Sequence, residues 1–107
     1  MKWNNNLYIG ESVKENFKKI KWKINHNAGM INVHIITFPS NRENLLDIIP
    51  ARELLQKGYP KNNIHILGLA GDYDEAVELV KTIVTQAAKD GRYDKVSDYI
   101  QALREDV

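Results

Sequence analysis

Three segments of this 107-residue chain repeat one pattern, in which a Ser or Asp stands three residues before a Glu and follows an apolar run. In a capping box these two side chains satisfy free backbone amides at a helix start, and a glycine in the left-handed conformation commonly ends the helix. Each segment therefore predicts a helix that follows a strand. The three patterns with their later glycines are Ser12 to Glu15 and Gly29, Ser40 to Glu43 and Gly58, and Asp72 to Glu75 and Gly91.

The patterns start 28 and 32 residues apart, which is the size of a strand-helix repeat in a parallel sheet. Pro50 cannot donate a backbone hydrogen bond, so we expect it to kink the second helix. We predict a single three-layer α/β domain over residues 1–107, with element order β-α-β-α-β-α-α. Its three-stranded parallel sheet takes the doubly wound order 2-1-3 in preference to 1-2-3. The predicted strands are 7–9, 31–38 and 64–70, and Asp94 caps the last helix.

The first, third and last predicted helices each carry an apolar stripe at helical period, which indicates one buried face on each helix. The second predicted helix, over 43–57, is the most apolar of the four. The stripes are Val13, Phe17, Ile20 and Ile24, then Ala76, Val80, Ile83, Val84 and Ala87, and finally Val96, Tyr99, Ile100 and Leu103.

The composition sets the class of protein. Hydrophobic residues make up 43% of the chain and charged residues 27%, which is ordinary for a soluble domain. The chain has no cysteine, and this excludes disulfides, thiolate nucleophiles and thiolate zinc sites. No stretch has the length of a signal peptide or a membrane span, so we expect a cytoplasmic protein without a membrane partner.

The carboxyl ends of the predicted strands are the expected place for a ligand, because parallel α/β sheets bind ligands there. Glycine amides and helix starts favour an anion, and Arg42 is the one basic residue of these loops that would anchor a phosphate or carboxylate. Neither a Gly-x-Gly-x-x-Gly nor a P-loop pattern is present, and the acidic residues nearby oppose an anion. The candidate ligand-binding residues are Gly10, Glu11, Ser12, Ser40, Asn41, Arg42, Gly71, Asp72, Tyr73 and Asp74.

Two sets of titratable residues, one acidic and one of histidines, each have a structural and a chemical interpretation. Asp72, Asp74 and Glu75 suit Mg²⁺, but helix capping and the helix dipole explain the same residues, so we predict no metal site and no cofactor. His34 and His65 would share a face if their strands were neighbours in register, which would allow a shared metal or an acid-base pair. No carboxylate accompanies them along either strand, so we favour a structural role.

The first helix presents five lysines around Trp22. Lysines with an aromatic residue between them can follow a phosphate backbone, but a nucleic-acid-binding domain of this size is usually more basic. We therefore favour a solvated lysine face, with Trp22 covering the lower edge of the sheet or a partner subunit.

No nucleophile motif is present, so no catalytic residues are predicted. We favour a non-catalytic binding or protein-interaction module. The two open edges of a three-stranded sheet favour a homodimer through a sheet edge or the last helix. The alternative is a small-metabolite-binding protein or enzyme that holds a phosphate or carboxylate at the carboxyl ends of the strands.

A resemblance lies in residues 45–80, mainly in the stretches DIIPARELL at 47–55 and GLAGDYDEA at 68–76. These stretches resemble small uncharacterised proteins of Firmicutes, notably Clostridium relatives. The resemblance implies a self-standing bacterial domain, and it carries over no activity, cofactor or functional residue.

Overall fold

The structure of the chain, a computed structural model, describes residues 1–26, 32–39, 44–54, 56 and 64–105. Within these residues the strands are β1 (Lys2–Ile9), β2 (His34–Thr37), β3 (Asp47–Pro50) and β4 (His65–Ala70). The helices are α1 (Phe17–His26), α2 (Ala51–Leu54), α3 (Tyr73–Lys89) and α4 (Val96–Glu105), and a 3-10 turn spans Glu11–Val13. None of the described helices has the length and apolar character needed to cross a membrane.

The strands form one mixed sheet in the order β1-β4-β2-β3. β1 is parallel to β4, whereas β2 is antiparallel to both β4 and β3. The predicted three-stranded parallel sheet is therefore wrong, in the 2-1-3 order as well as in the 1-2-3 order. All residues of β4, one of the two inner strands, are buried, and β1 and β3 form the two edges.

Pro50 ends an edge strand and does not kink a helix. The Ala51 amide donates to the Val33 carbonyl at 2.9 Å. Because amides alternate in direction along an antiparallel ladder, the Ile49 amide also faces β2, whereas Ile48 and Pro50 face outward. Proline has no N–H to donate, so the outward position of an edge strand accommodates it. The segment predicted as the first half of a kinked helix is therefore β3.

Two apolar clusters, one on each face of the sheet, hold the helices in place. The 3-10 turn, α1 and α2 bury Val13, Ile24, Ala51 and Leu54 against Ile35, Ile66 and Leu69. On the other face α3 and α4 bury Ala76, Ile83 and Ile100 against Ile36, Leu67 and Ala70. The stripes predicted for the first and last helices pack entirely into these clusters, which confirms them.

The helix ends agree only in part with the predicted caps. Ser12 lies in the 3-10 turn and α1 begins at Phe17, so the first capping box is wrong. α3 ends on extended backbone at Asp90, with φ −79° and ψ 109°, and Gly91 does not adopt a left-handed φ. α4 begins at Val96, two residues after the predicted cap Asp94. The second pattern, Ser40 to Glu43, lies outside the described residues, as do Gly29 and Gly58.

A buried polar contact joins β1, β4 and α4. Asn4 is 2% exposed, and its Nδ2 donates to the Leu103 carbonyl at 2.7 Å and lies 3.1 Å from Nε2 of His65. Its Oδ1 accepts the Asn6 amide at 3.0 Å. Since an amide nitrogen can only donate, Nε2 of His65 accepts, and the neutral ring carries its proton on Nδ1. Burial lowers the pKa of His65, and the positive charges of Arg104 and Lys2 add to this effect.

We expect this histidine to make the fold sensitive to mild acid. The unfolded chain takes up the His65 proton below its usual pKa of 6.5, whereas the folded protein resists protonation. The free energy of unfolding is therefore highest above that pH and falls as the pH drops through the lower folded pKa. Urea unfolding between about pH 7 and about pH 5 should show the loss, and His65→Gln should remove this part of it. His26→Gln, at an exposed position, should keep the wild-type dependence.

Candidate functional site

At one end of the sheet the strands β1, β3 and β4 terminate and β2 begins, because β2 alone runs in the opposite direction. The turns that contain the candidates 10–12 and 71–74 lie side by side at this end. β2 terminates at the opposite end of the sheet, where Thr37 faces Ile66. The prediction that a parallel strand brings residues 40–42 to the candidate site is therefore wrong. Ser40, Asn41 and Arg42 themselves lie outside the described residues.

The place predicted to cradle an anion is filled by a carboxylate of the chain itself. Glu75 Oε1 accepts the Gly71 amide at 2.7 Å and the Ser12 hydroxyl at 2.6 Å, and Oε2 accepts the Ser12 amide at 3.4 Å. The Gly71 amide and then the Ser12 hydroxyl lower the pKa of Glu75. A Cβ on Gly10 would collide with the Glu75 side chain, and a Cβ on Gly71 with Ser12. The lack of a side chain at Gly10 and Gly71 therefore leaves room for the contact between Glu75 and Ser12. The amides of Ser12 and Gly71 already donate to Glu75.

Asp72 caps α3, as predicted. Its side chain accepts the Glu75 amide at 2.8 Å. The reciprocal half of the capping box is wrong, because the Glu75 carboxylate bonds Gly71 and Ser12 in place of the Asp72 amide. Glu75 thus connects the turn after β1 to the start of α3.

Replacing the cap should cost stability in a way that depends on the new side chain. We expect Asp72→Ala to lose about 0.5–2 kcal/mol and Asp72→Asn or Asp72→Ser to retain most of the stability, since both still accept the Glu75 amide. Urea unfolding measures each value. Asp74→Ala is the control, because Asp74 is an exposed acid in the same helix turn, and it should lose only a few tenths of a kcal/mol. A loss with Asp72→Asn equal to that with Asp72→Ala would contradict the capping role.

A cleft of about 200 Å³ opens beside this contact, between the turn after β3 and the turn after β4. Its charged residues are Arg52 at the start of α2 and Asp72 at the start of α3, and both side chains are exposed. Neither of them forms an ion pair with a described residue. The other lining residues are Asn32, Val33, His34, Pro50, Ala51 and Gly71.

His34 contributes an aromatic wall to the cleft. Its ring meets the Tyr73 ring edge to face, with the centroids 6.0 Å apart and the planes at 70°. Nδ1 of His34 is buried and has no hydrogen-bond partner among the described residues. His34 faces Ala70 at one end of the sheet, whereas His65 begins β4 at the other end. The shared His34–His65 site considered from the sequence is therefore wrong.

The remaining candidates make local contacts. Glu11 pairs with Lys14 at 2.6 Å, and Tyr73 is 57% exposed. Trp22 is 56% exposed and stacks on His26 of its own helix with the ring centroids 4.3 Å apart. The prediction that it covers the lower edge of the sheet is therefore wrong, and cover by a partner subunit stays a prediction. The tryptophan that packs against α1 is Trp3, whose ring meets Phe17 edge to face.

Sequence reasoning missed Arg52 because the residue lay inside a predicted helix. The one signal for its position is Pro50, whose missing N–H suits the end of an edge strand, and Arg52 comes two residues later. The residues that line the cleft are therefore partly those predicted, Gly71 and Asp72, and partly new, His34 and Arg52.

When the chain is compared with protein-family models, with curated proteins and with solved structures, nothing matches it. The resemblance to proteins of Firmicutes stays a prediction, and the function is argued from the geometry of the cleft.

Proposed function

We propose that this protein is a non-catalytic binding module for a small molecule that carries both a carboxylate and an ammonium group. The observation that carries the proposal is the placement of Arg52 and Asp72 in one cleft without an ion pair between them. A guanidinium group is suited to hold a carboxylate, and a carboxylate is suited to hold an ammonium group. A ligand with both charges satisfies the two residues together.

The sheet sets the distance between the two turns that carry these charges. Arg52 follows β3 and Asp72 follows β4, and β2 lies between these strands. Two strand spacings place the turns about 10 Å apart. Both side chains line the cleft and take up part of this gap, so the space between their charged groups suits a short ligand such as an amino acid. The cleft of about 200 Å³ is smaller than most drug-sized sites, so it favours an amino acid with a small side chain.

The chemistry beside the cleft supports binding over catalysis. Among the described residues, Ser12 pairs its hydroxyl with a carboxylate, donating to Glu75 at 2.6 Å. The Gly71 amide and the Ser12 hydroxyl lower the pKa of Glu75, so this carboxylate is a weak base. An efficient general base has a pKa near the working pH, and Glu75 is shifted away from it.

Thermal unfolding with added ligand tests the proposal. We expect glycine, alanine or serine to stabilise the protein, by about 2.7 kcal/mol at a concentration 100 times the dissociation constant. Acetate and methylamine, which each carry one of the two charges, should stabilise it far less. Arg52→Gln and Asp72→Asn should both abolish the effect, and Asp72→Asn does so with the helix cap retained.

Arg104→Gln is the matched control, because Arg104 is exposed near the end of α4 and lies outside the cleft. It should leave ligand stabilisation unchanged. Equal stabilisation by acetate and alanine, or full stabilisation of Asp72→Asn by alanine, would overturn the two-charge site.

Self-association is a second candidate function, favoured by one flank of α3. Tyr73 meets His34 on the β2 side of this helix, whereas Gln86 meets Tyr8 of β1 on the other side. Val77 and Val84 come four and eleven residues after Tyr73, so they share its side of the helix, towards β3. They are half-buried, and Tyr73 is 57% exposed. This α3 flank is an apolar surface that no described element covers fully.

The flank suits a second copy of this chain. In an antiparallel pair of α3 helices about a two-fold axis, Val77 of each copy meets Val84 of the other, and Tyr73 meets the small side chain of Ala88. Strand pairing through β3 contributes little, because Pro50 removes one of its outward amides. The apolar residues of α4 pack inside the chain, which favours the α3 flank over the last helix.

Analytical ultracentrifugation at up to millimolar concentration tests the dimer. We expect wild-type dimers, Val84→Lys monomers, and dimers for Thr85→Lys, whose side chain is exposed on a different side of α3. A monomeric wild type would overturn the dimer proposal, and it would not bear on the proposal that the cleft binds an amino acid.

A further inference from the structure

A second cavity, of about 450 Å³, lies between β1, the turn after α3, and α4. It shares no lining residue with the cleft that holds Arg52 and Asp72. Three tyrosines line it together with one arginine, one asparagine and an apolar pair. The lining residues are Asn6, Tyr8, Arg92, Tyr93, Tyr99, Ala102 and Leu103.

We propose that this tyrosine cavity binds a neutral planar heteroaromatic ring of the nucleobase class. Tyrosine rings offer aromatic faces and edges on which such a ring packs, and a phenolic oxygen whose hydrogen is already donated can still accept a hydrogen bond from its rim. The volume lies within the range of natural small-molecule sites. The apolar pair Ala102 and Leu103 supplies further contact area.

The walls of the cavity are held in position by contacts within the chain. Tyr93 and Tyr99 meet edge to face, with ring centroids 5.8 Å apart and planes at 87°. Tyr8 donates its hydroxyl hydrogen to Gln86 Oε1 at 2.9 Å. The Arg92 guanidinium lies 5.5 Å from the centre of the Tyr93 ring. Because these groups are already ordered, a ligand loses little free energy in immobilising them.

Among the residues that line the cavity, Arg92 carries a charge, and the neighbouring Asp90 neutralises it. Arg92 donates from Nε and Nη2 to the two Asp90 oxygens at 3.1 and 2.8 Å. These bonds lower the pKa of Asp90 to about 2, so the carboxylate stays ionised and balances the arginine. Burial and a hydrogen bond with Tyr99 raise the pKa of Tyr8 to about 12, so its phenol stays neutral. A cavity without net charge favours an uncharged ring and gives no added affinity to a phosphate.

Adenosine is the probe for this site, and isothermal titration calorimetry gives its dissociation constant. We expect millimolar binding or tighter, no gain with adenosine monophosphate, and no binding of ribose 5-phosphate. Tyr93→Leu, which keeps apolar bulk and loses the aromatic ring, should weaken adenosine binding about tenfold. Tyr73→Leu is the matched control, since Tyr73 is an exposed tyrosine outside the cavity, and it should bind adenosine as the wild type does.

Ala102→Phe tests the site without removing a tyrosine, because the added ring occupies part of the space that a ligand would need. We expect it to abolish adenosine binding while circular dichroism and urea unfolding report a folded protein. Absence of adenosine binding to the wild type would overturn the proposal. So would equal binding of ribose 5-phosphate, or wild-type affinity in both Tyr93→Leu and Ala102→Phe.

Discussion

Asn4→Ala is expected to lower the free energy of unfolding by about 3 kcal/mol, because each buried polar group left without a partner costs about 1–3 kcal/mol. The change removes the donor to His65 and to the Leu103 carbonyl, and the acceptor of the Asn6 amide. Urea unfolding at neutral pH measures the loss.

The adjacent asparagine provides the control for that experiment. Asn5 is exposed, so Asn5→Ala should change the stability by no more than about 0.5 kcal/mol. If the two variants were equally stable, the contact of Asn4 with β4 and α4 would contribute nothing to the fold.

Gly68→Ala should also be strongly destabilising, by about 1–3 kcal/mol, because it overpacks the centre of the sheet. A Cβ at Gly68 would lie 2.6 Å from the backbone oxygen of Tyr8 and 3.3 Å from Cδ1 of Ile36. A backbone atom cannot move aside as a flexible side chain does, so β1 would have to shift away from β4. Thermal or urea unfolding checks this expectation.

Gly91→Ala separates the collision from the general effect of replacing glycine. A Cβ at Gly91 meets nothing within 4 Å, and Gly91 has no left-handed φ. This variant should be neutral or up to about 1 kcal/mol more stable, because alanine restricts the unfolded chain. A similar loss in both variants would contradict the account of Gly68.

The elements that could be predicted from the sequence are those whose pattern is long or local. α3 follows from its apolar stripe and from the cap at Asp72, and β4 follows from a continuous apolar run. β3 could not be recognised, because four residues are too few to separate the period of a strand from that of a helix. Without β3, the sequence presents β2 and β4 as consecutive strands joined by a helix, and the rule for crossovers then predicts that they run parallel.

Only the part of the candidate site that a single turn supplies could be predicted from the sequence. Gly71 and Asp72 belong to the turn between β4 and α3, which the sequence located correctly. His34 and Arg52 reach the cleft because β2 runs against its neighbours and β3 ends beside it, and both facts depend on pairing between distant residues. The contact of Glu75 with Ser12 was missed for a related reason, since a capping pattern indicates only a local partner.

The position of β1 has a consequence for the time course of folding. Among the described strands β1 pairs only with β4, and its paired residues lie 60 to 63 positions apart in the chain, from Ile9 with Leu69 to Lys2 with His65. β2 and β3 pair residues only 10 to 16 positions apart. Contacts between distant residues form slowly, because the loop must close before the contact stabilises it. On the ribosome we therefore expect the β2–β3 hairpin to form first, while the amino-terminal strand waits, without its partner, until β4 has been synthesised.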